Sequence, residues 1–86
     1  MRIVGVAFAK GEYEGRPYHK VRFHCVGEFD KEDNTAGQSV EMYSLNYDDC
    51  GNIFEYVGGN IDSLIGLNIE PMYNKYGKVS KVLVQE

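Results

Sequence analysis

Residues 15–26 read Gly-Arg-Pro-Tyr-His-Lys-Val-Arg-Phe-His-Cys-Val, and two kinds of side chain alternate from Tyr18 onward. Because successive side chains of a β-strand point to opposite faces, this stretch predicts a strand, running to about Phe29, with two different faces. The apolar face carries Val21, Phe23 and Cys25. The other face carries Tyr18, Lys20, Arg22 and His24. A cationic, aromatic row is unusual in a chain whose formal net charge is −4, so it needs an explanation.

Four further strands are predicted around this one. β-branched and aromatic residues predict a first strand from Arg2 to Ala9, in which Gly5 indicates a bulge or bend. Gly11 and Gly15, ahead of Pro17, predict a loop or turn at 10–15, and polar residues predict an exposed loop at 30–37. Pro71 predicts an edge or bulge position, and Gly77 predicts a hairpin turn. The remaining strands are expected at Gln38–Asn46, Gly66–Asn74 and Val79–Gln85.

The segment between the third and fourth strands predicts at most a short helix. Ile53 to Val57 can form one helical turn, and Asp62 can cap a second. Five short strands with glycine-marked bends predict an all-β domain, a small five-stranded OB-like barrel, with an SH3-like barrel as the alternative. A length of 86 residues indicates one domain, residues 1–86.

Length and composition exclude some classes of protein. The apolar runs are too short to span a bilayer, and the first ten residues do not resemble a signal peptide, so a cytoplasmic protein is expected. Cys25 and Cys50 fit that compartment as two free thiols, with a disulfide as the alternative.

Charge is distributed unevenly along the chain. Residues 1–26 carry five bases against two acids, and residues 71–86 carry three bases against one acid. Residues 27–70 carry one base against ten acids. If the two ends meet in space, they form one positive patch on a negative body. The alternative is a set of dispersed surface charges.

The sequence offers little chemistry for catalysis. His19 and His24 lie five residues apart on one strand and therefore face opposite sides, which does not suit a pair of metal ligands. Cys25 and Cys50 form no Cys-x-x-Cys motif, and no phosphate-binding loop or nucleophile motif is present. We therefore expect no enzyme, no metal and no cofactor.

Six of the seven tyrosines fall into two groups. Tyr18 and Tyr76 are surrounded by lysine and arginine in the sequence. Exposed rings among cations suit single-stranded nucleic acid, because bases stack on the rings while cations contact the phosphates. Cation–π pairing within the surface is the alternative. Core or interface positions are expected for Tyr43, Tyr47, Tyr56 and Tyr73; Tyr13 remains unassigned.

The run Gly15-Arg16-Pro17-Tyr18, with an alternating strand that reaches Cys25, resembles the filamentous-phage helix-destabilising proteins, a family that binds single-stranded DNA. The Tyr76-Gly77 turn, between the Gly66-Leu67 strand start and a strand with Lys81, is similar to the closing hairpin of that family. The resemblance covers residues 15–26 and 66–85. It implies a distorted OB barrel, a homodimer and cooperative, sequence-tolerant coating of single strands.

The resemblance also implies roles for individual residues. Arg16 and Tyr18 correspond to a basic residue and an aromatic residue of the DNA-binding wing, and Tyr76 corresponds to the aromatic at the hairpin tip. Lys78 and Lys81 lie near the basic positions beyond that tip. The acidic middle, the loop at 30–37, Arg22 and His24 depart from the family pattern.

The sequence therefore predicts a non-enzymatic, homodimeric single-stranded DNA-binding protein of a phage or mobile element, with a role such as DNA replication. The acidic 27–70 block is expected to keep DNA on one face. RNA as the ligand stays open, and so does a β-barrel protein-interaction module whose acidic block mimics DNA. The predicted binding residues are Arg16, Tyr18, Lys20, Arg22, Lys75, Tyr76, Lys78 and Lys81.

Overall fold

A computed structural model describes residues 1–29 and 34–85, which form five strands in two antiparallel sheets. Two short 3-10 turns, Tyr47–Cys50 and Ile61–Leu64, flank the single α-helix of the described chain. The all-β class and the short helical segment between the third and fourth strands are confirmed. The elements are β1 (Arg2–Tyr13), β2 (Arg16–Gly27), β3 (Ser39–Asn46), α1 (Gly51–Tyr56), β4 (Ile69–Tyr73) and β5 (Val79–Val84).

A long hairpin of β1 and β2 dominates the three-stranded sheet. Its turn has only two residues, Glu14 with φ 51° and Gly15 with φ 77°. Two left-handed residues give a turn whose twist matches that of the flanking strands, so pairing continues up to Tyr13 and Arg16. The turn predicted within 10–15 is confirmed at Glu14 and Gly15, whereas residues 10–13 continue the first strand. The bulge predicted at Gly5 is confirmed by a shift of register next to it.

Strand β3 covers only part of β2. It pairs with β2 from Lys20 to Gly27, whereas Arg16–His19 lie beyond the end of β3 and pair with β1. The tip of the hairpin therefore extends past the three-stranded part of the sheet.

Strands β4 and β5 form the second sheet, joined by the predicted hairpin turn. The Asn74 side-chain oxygen accepts hydrogen bonds from the backbone N–H groups of Tyr76 (2.9 Å) and Lys78 (3.1 Å), and Gly77 has φ 77°. Pro71 lies next to a shift of register between Met72 and Tyr73, as its missing donor predicts.

The two sheets meet at the start of β1. Ile3 donates to the Leu67 carbonyl and accepts from the Gly66 N–H, both at 2.8 Å, and Ile69 donates to the Met1 carbonyl at 2.7 Å. Strand β5 lies beside β3. Among the described residues the ladders nevertheless form two separate sheets.

The core lies between the sheets and is closed by the helical segment. Val21, Phe23 and Cys25 are fully buried, so the predicted apolar face of β2 is confirmed. Both cysteines are buried and free. The remaining core residues are Ile3, Tyr43, Leu45, Cys50, Ile53, Leu64, Ile69 and Val82.

The connecting segments test two further predictions from the sequence. The cap of the second helical turn is Asn60, whose side chain accepts from the Asp62 N–H, so Asp62 is not the cap. The predicted loop at 30–37 lies partly outside the described residues, and its described part, 34–37, is exposed. No helix in the described ranges combines the length and the apolar character needed to cross a membrane.

Candidate nucleic-acid interface

The outward face of β2 is open, as its alternating pattern predicts. Tyr18, Arg22 and His24 are exposed and Lys20 is partly buried. In the sheet register Lys20 lies beside Asn46 of β3, and Arg22 lies beside Ser44. Lys20 and Arg22 are therefore bordered on the β3 side by short polar side chains, whereas His24 lies beside Met42.

On the β1 side the same row is bordered by small residues. Gly5, Ala7, Ala9 and Gly11 lie opposite His24, Arg22, Lys20 and Tyr18, respectively. A Cβ added at Gly11 would lie 2.7 Å from the Tyr18 hydroxyl oxygen, so the Tyr18 ring rests on this glycine. The alternation of small residues from position 5 to 11 is visible in the sequence and could have revealed this border.

The second predicted aromatic is at the tip of the β4–β5 hairpin. Tyr76 is 75% exposed, compared with 41% for Tyr18. The Lys75 Nζ lies 5.1 Å from the centroid of the Tyr76 ring. This contact is the cation–π pairing named above as an alternative, and it leaves most of the ring accessible to a base.

Two grooves meet at Lys20. The proximal groove, about 850 Å³, lies along the tip of the β1–β2 hairpin, and the distal groove, about 430 Å³, lies between β3 and the β4–β5 turn. Lys20, Asn46 and Asp49 line both grooves, and we call these three residues the junction. The proximal groove is also lined by Lys10, Glu12, Tyr18 and Asp48, and the distal groove by Met42, Ser44, Asn74 and Lys78.

The structure thus brings together part of the predicted site. Tyr18, Lys20 and Lys78 lie along the two connected grooves, and Arg16 lines a further cavity with Tyr18. Lys10, which the sequence interpretation did not select, joins them. Arg22 shares the outward face of β2, Lys75 and Tyr76 occupy the turn before Lys78, and Lys81 is exposed on β5; none of these four lines the two grooves.

Acidic residues also line the proximal groove. Asp48 and Asp49 belong to the 3-10 turn that follows β3, and the Asn46 side-chain N–H donates to an Asp49 carboxylate oxygen at 3.4 Å. These two residues of the acidic 27–70 block thus lie at the groove itself, together with Glu12, and the prediction that the block keeps DNA on one face stays a prediction. Their carboxylates oppose phosphate binding next to Lys20.

An aromatic cluster that the sequence interpretation missed borders the proximal groove, which His19 lines together with its register partner Lys10. The His19 and Tyr47 rings stack with centroids 4.1 Å apart and planes 7° apart, and Phe8 and Phe54 lie near them. His19 is thus engaged in packing while His24 is exposed on the opposite face, as their spacing predicts. The cluster combines residues from four separate elements, so no local sequence pattern predicts it.

The four tyrosines expected in the core or an interface differ in burial. Tyr43 is 8% exposed, and burial, followed by Tyr73, Glu41 and Cys25 nearby, raises its pKa to about 12. Tyr47, Tyr56 and Tyr73 are 40%, 52% and 59% exposed, so a core position is wrong for these three.

The described residues offer no group of three or more histidine, cysteine or acidic side chains placed to hold a metal ion. Burial raises the pKa of both Cys25 and Cys50 to about 11, and the Cys50 thiol donates to the Asn46 carbonyl at 3.4 Å. Thiols with such pKa values are poor nucleophiles at neutral pH.

The chain matches no family model, no curated protein and no solved structure. Its function is therefore argued from the grooves and from the side chains that line them.

Proposed function

We propose that the protein binds single-stranded DNA along the two grooves that meet at Lys20. The observation that carries the proposal is the shared lining: Lys20 of the N-terminal hairpin and Lys78 of the C-terminal hairpin face one groove. Two basic segments that are far apart in the sequence thus converge, and each has an exposed tyrosine beside it.

The arrangement suits an unpaired strand. Lys10, Lys20 and Lys78 supply positive charge along the path, and Arg16 extends it past Tyr18. Stacking on the Tyr18 and Tyr76 rings requires bases that are not engaged in a duplex, and each stacked base contributes about 1–3 kcal/mol. No group in this set has to perform chemistry, so the proposed activity is binding alone.

The fold supports the same proposal. OB-folds bind oligonucleotides on the face of strands 2 and 3 and through the loops between strands 1 and 2 and between strands 4 and 5. We assign the chain to an OB-like barrel because the start of β1 bonds to residues 66–69 and β5 lies beside β3. The proposed path then follows β2, β3 and both loops. From the resemblance to the phage family we also propose that the protein is a homodimer in the cytoplasm of a bacterial host.

The proposal is tested by fluorescence anisotropy with labelled oligo-dT, oligo-rU and duplex DNA at low salt. We expect oligo-dT to bind more tightly than duplex, and Tyr76→Ala to weaken oligo-dT binding about tenfold or more. Tyr76→Phe is the matched control, because phenylalanine keeps the stacking face, and it should bind like the unmodified protein.

Three results would contradict this reading. Equal affinity for duplex would argue against a single-strand groove, and stronger binding of oligo-rU would make RNA the ligand. Absence of binding to all three would favour the protein-interaction alternative.

A further inference from the structure

The junction combines one cation with two groups that a phosphate backbone does not need. Asn46 lies beside Lys20 in the sheet register, and Asp49 follows three residues later. All three face both grooves, so a strand that passes from Tyr18 to Lys78 must cross them. A carboxylate at this point repels phosphate but can accept hydrogen bonds from a base.

We infer that Asp49, positioned by Asn46, recognises the base that lies at the junction and selects bases whose Watson–Crick edge carries an exocyclic amino group beside an unprotonated ring nitrogen. This inference rests on the proposed function and names the preferred substrate: single strands that present cytosine or adenine at this position. The 4-amino group of cytosine donates, and an acidic side chain is a suitable acceptor for it.

Lys20 completes the discrimination. Cytosine and adenine place an acceptor nitrogen next to their amino group, and an ammonium can donate to that nitrogen. Thymine and uracil present a carbonyl oxygen where cytosine has its amino group, so Asp49 would face another acceptor. Two acceptors that face each other form no hydrogen bond, so Asp49 contributes nothing favourable to the affinity for thymine or uracil.

Asn46 restricts where the Asp49 carboxylate can point. Its side-chain N–H binds one Asp49 oxygen at 3.4 Å and leaves the second oxygen for the ligand. Asn46 is also the last residue of β3, so it is anchored in the sheet. Asp48 lines only the proximal groove and is not assigned this role.

The inference is tested by measuring affinities of the whole protein for oligo-dC, oligo-dA and oligo-dT of equal length at neutral pH. We expect dC and dA to bind at least about fivefold more tightly than dT. In Asp49→Ala the ratio of the affinity for dC to the affinity for dT should fall to about one. The affinity for dT rises because a repelling carboxylate is removed, and the affinity for dC falls because the acceptor for its amino group is lost. Asp62→Ala removes the same charge from an exposed turn outside both grooves and should leave the ratio unchanged.

A second measurement needs no variant. It uses an oligonucleotide in which 2-pyrimidinone, a cytosine analogue without the 4-amino group, replaces cytosine. The unmodified protein should not show for this oligonucleotide the preference that it shows for dC. Similarly tight binding of the analogue and dC would overturn the inference, as would a dC to dT ratio near one or a ratio unaffected by Asp49→Ala. In each of these cases binding to single strands persists, so the proposed function survives. Failure to bind any single strand would overturn both.

Discussion

Replacing Lys78 by glutamine tests the distal groove most directly. Lys78 belongs to the C-terminal hairpin and lines this groove together with residues of β2 and β3. The substitution removes one charge and keeps a side chain of similar length. The turn should survive, since its bonds to Asn74 are made by the backbone N–H and carbonyl of residue 78. A loss of binding can then be assigned to charge.

The expected magnitude follows from counterion release. Each phosphate neutralised on a single strand contributes about 0.7 to the slope of log affinity against log salt concentration. If Lys10, Arg16, Lys20 and Lys78 each contact one phosphate, the slope is about −2.8, and affinity falls about 50-fold between 50 and 200 mM salt. With Lys78→Gln the slope becomes about −2.1 and the loss about 18-fold. The ratio of the affinity of the unmodified protein to that of the variant should therefore fall about 2.6-fold between 50 and 200 mM salt.

The assay is a titration of labelled oligonucleotide at four or five salt concentrations. Arg2→Gln is the matched control, because Arg2 is exposed and lines neither groove, and its slope should equal that of the unmodified protein. An unchanged slope in Lys78→Gln would refute the reasoning. Equal changes in both variants would also refute it, because the effect would then reflect net charge and not the groove.

Three further outcomes concern the fold. Phe23→Ala should lower the free energy of unfolding by about 3–5 kcal/mol in urea titrations, because the ring is fully buried, whereas Val40→Ala at an exposed position should change it by less than about 0.5 kcal/mol. Glu14→Asn should raise stability by on the order of 1 kcal/mol, because Glu14 has φ 51° and asparagine tolerates that conformation better; no gain in thermal melts would contradict the turn assignment. The buried thiols of Cys25 and Cys50 have pKa values of about 11 against an ordinary 9.0, so the unfolded chain loses these protons first. Stability should therefore fall as pH rises from 9 towards 11, and the Cys25→Ser, Cys50→Ser double variant should lose that part of the dependence.

Local patterns in the sequence predicted the parts of the fold that depend on neighbours along the chain. The alternation from Tyr18 to Cys25 determined which side chains of β2 are buried, and Gly77 with Asn74 determined the second hairpin turn. The length of the first hairpin was missed for a physical reason, although a loop or turn at 10–15 was predicted. Its turn places a glutamate in a left-handed conformation that this residue rarely adopts, so the sequence carries no Asn-Gly signal there.

The site was predictable only in part, because it depends on contacts between distant segments. Tyr18 and Lys20 share a face because side chains alternate along a strand with a period of two residues. Lys78 and Lys20 line one groove because the two sheets pack together, which no local pattern predicts. Asp49 reaches the groove through the pairing of β2 with β3, because it follows Asn46, the register partner of Lys20. An acidic residue in a turn is ordinarily solvated, so its sequence position gave no indication of this role.

The proposed binding of a polyanion by a chain of net charge −4 depends on salt screening, because Glu12, Asp48 and Asp49 line the proximal groove beside Lys10 and Lys20. At 0.1 M salt charges interact over about 10 Å, which is well below the 46 × 30 × 22 Å extent of the molecule. The groove cations then act on the strand while most of the remaining acidic residues are screened. At 0.01 M salt the range grows to about 30 Å and the whole negative surface contributes repulsion. The plot of log affinity against log salt should therefore flatten below about 0.02 M, and a plot that stays straight there would mean that the acidic surface does not act on the bound strand.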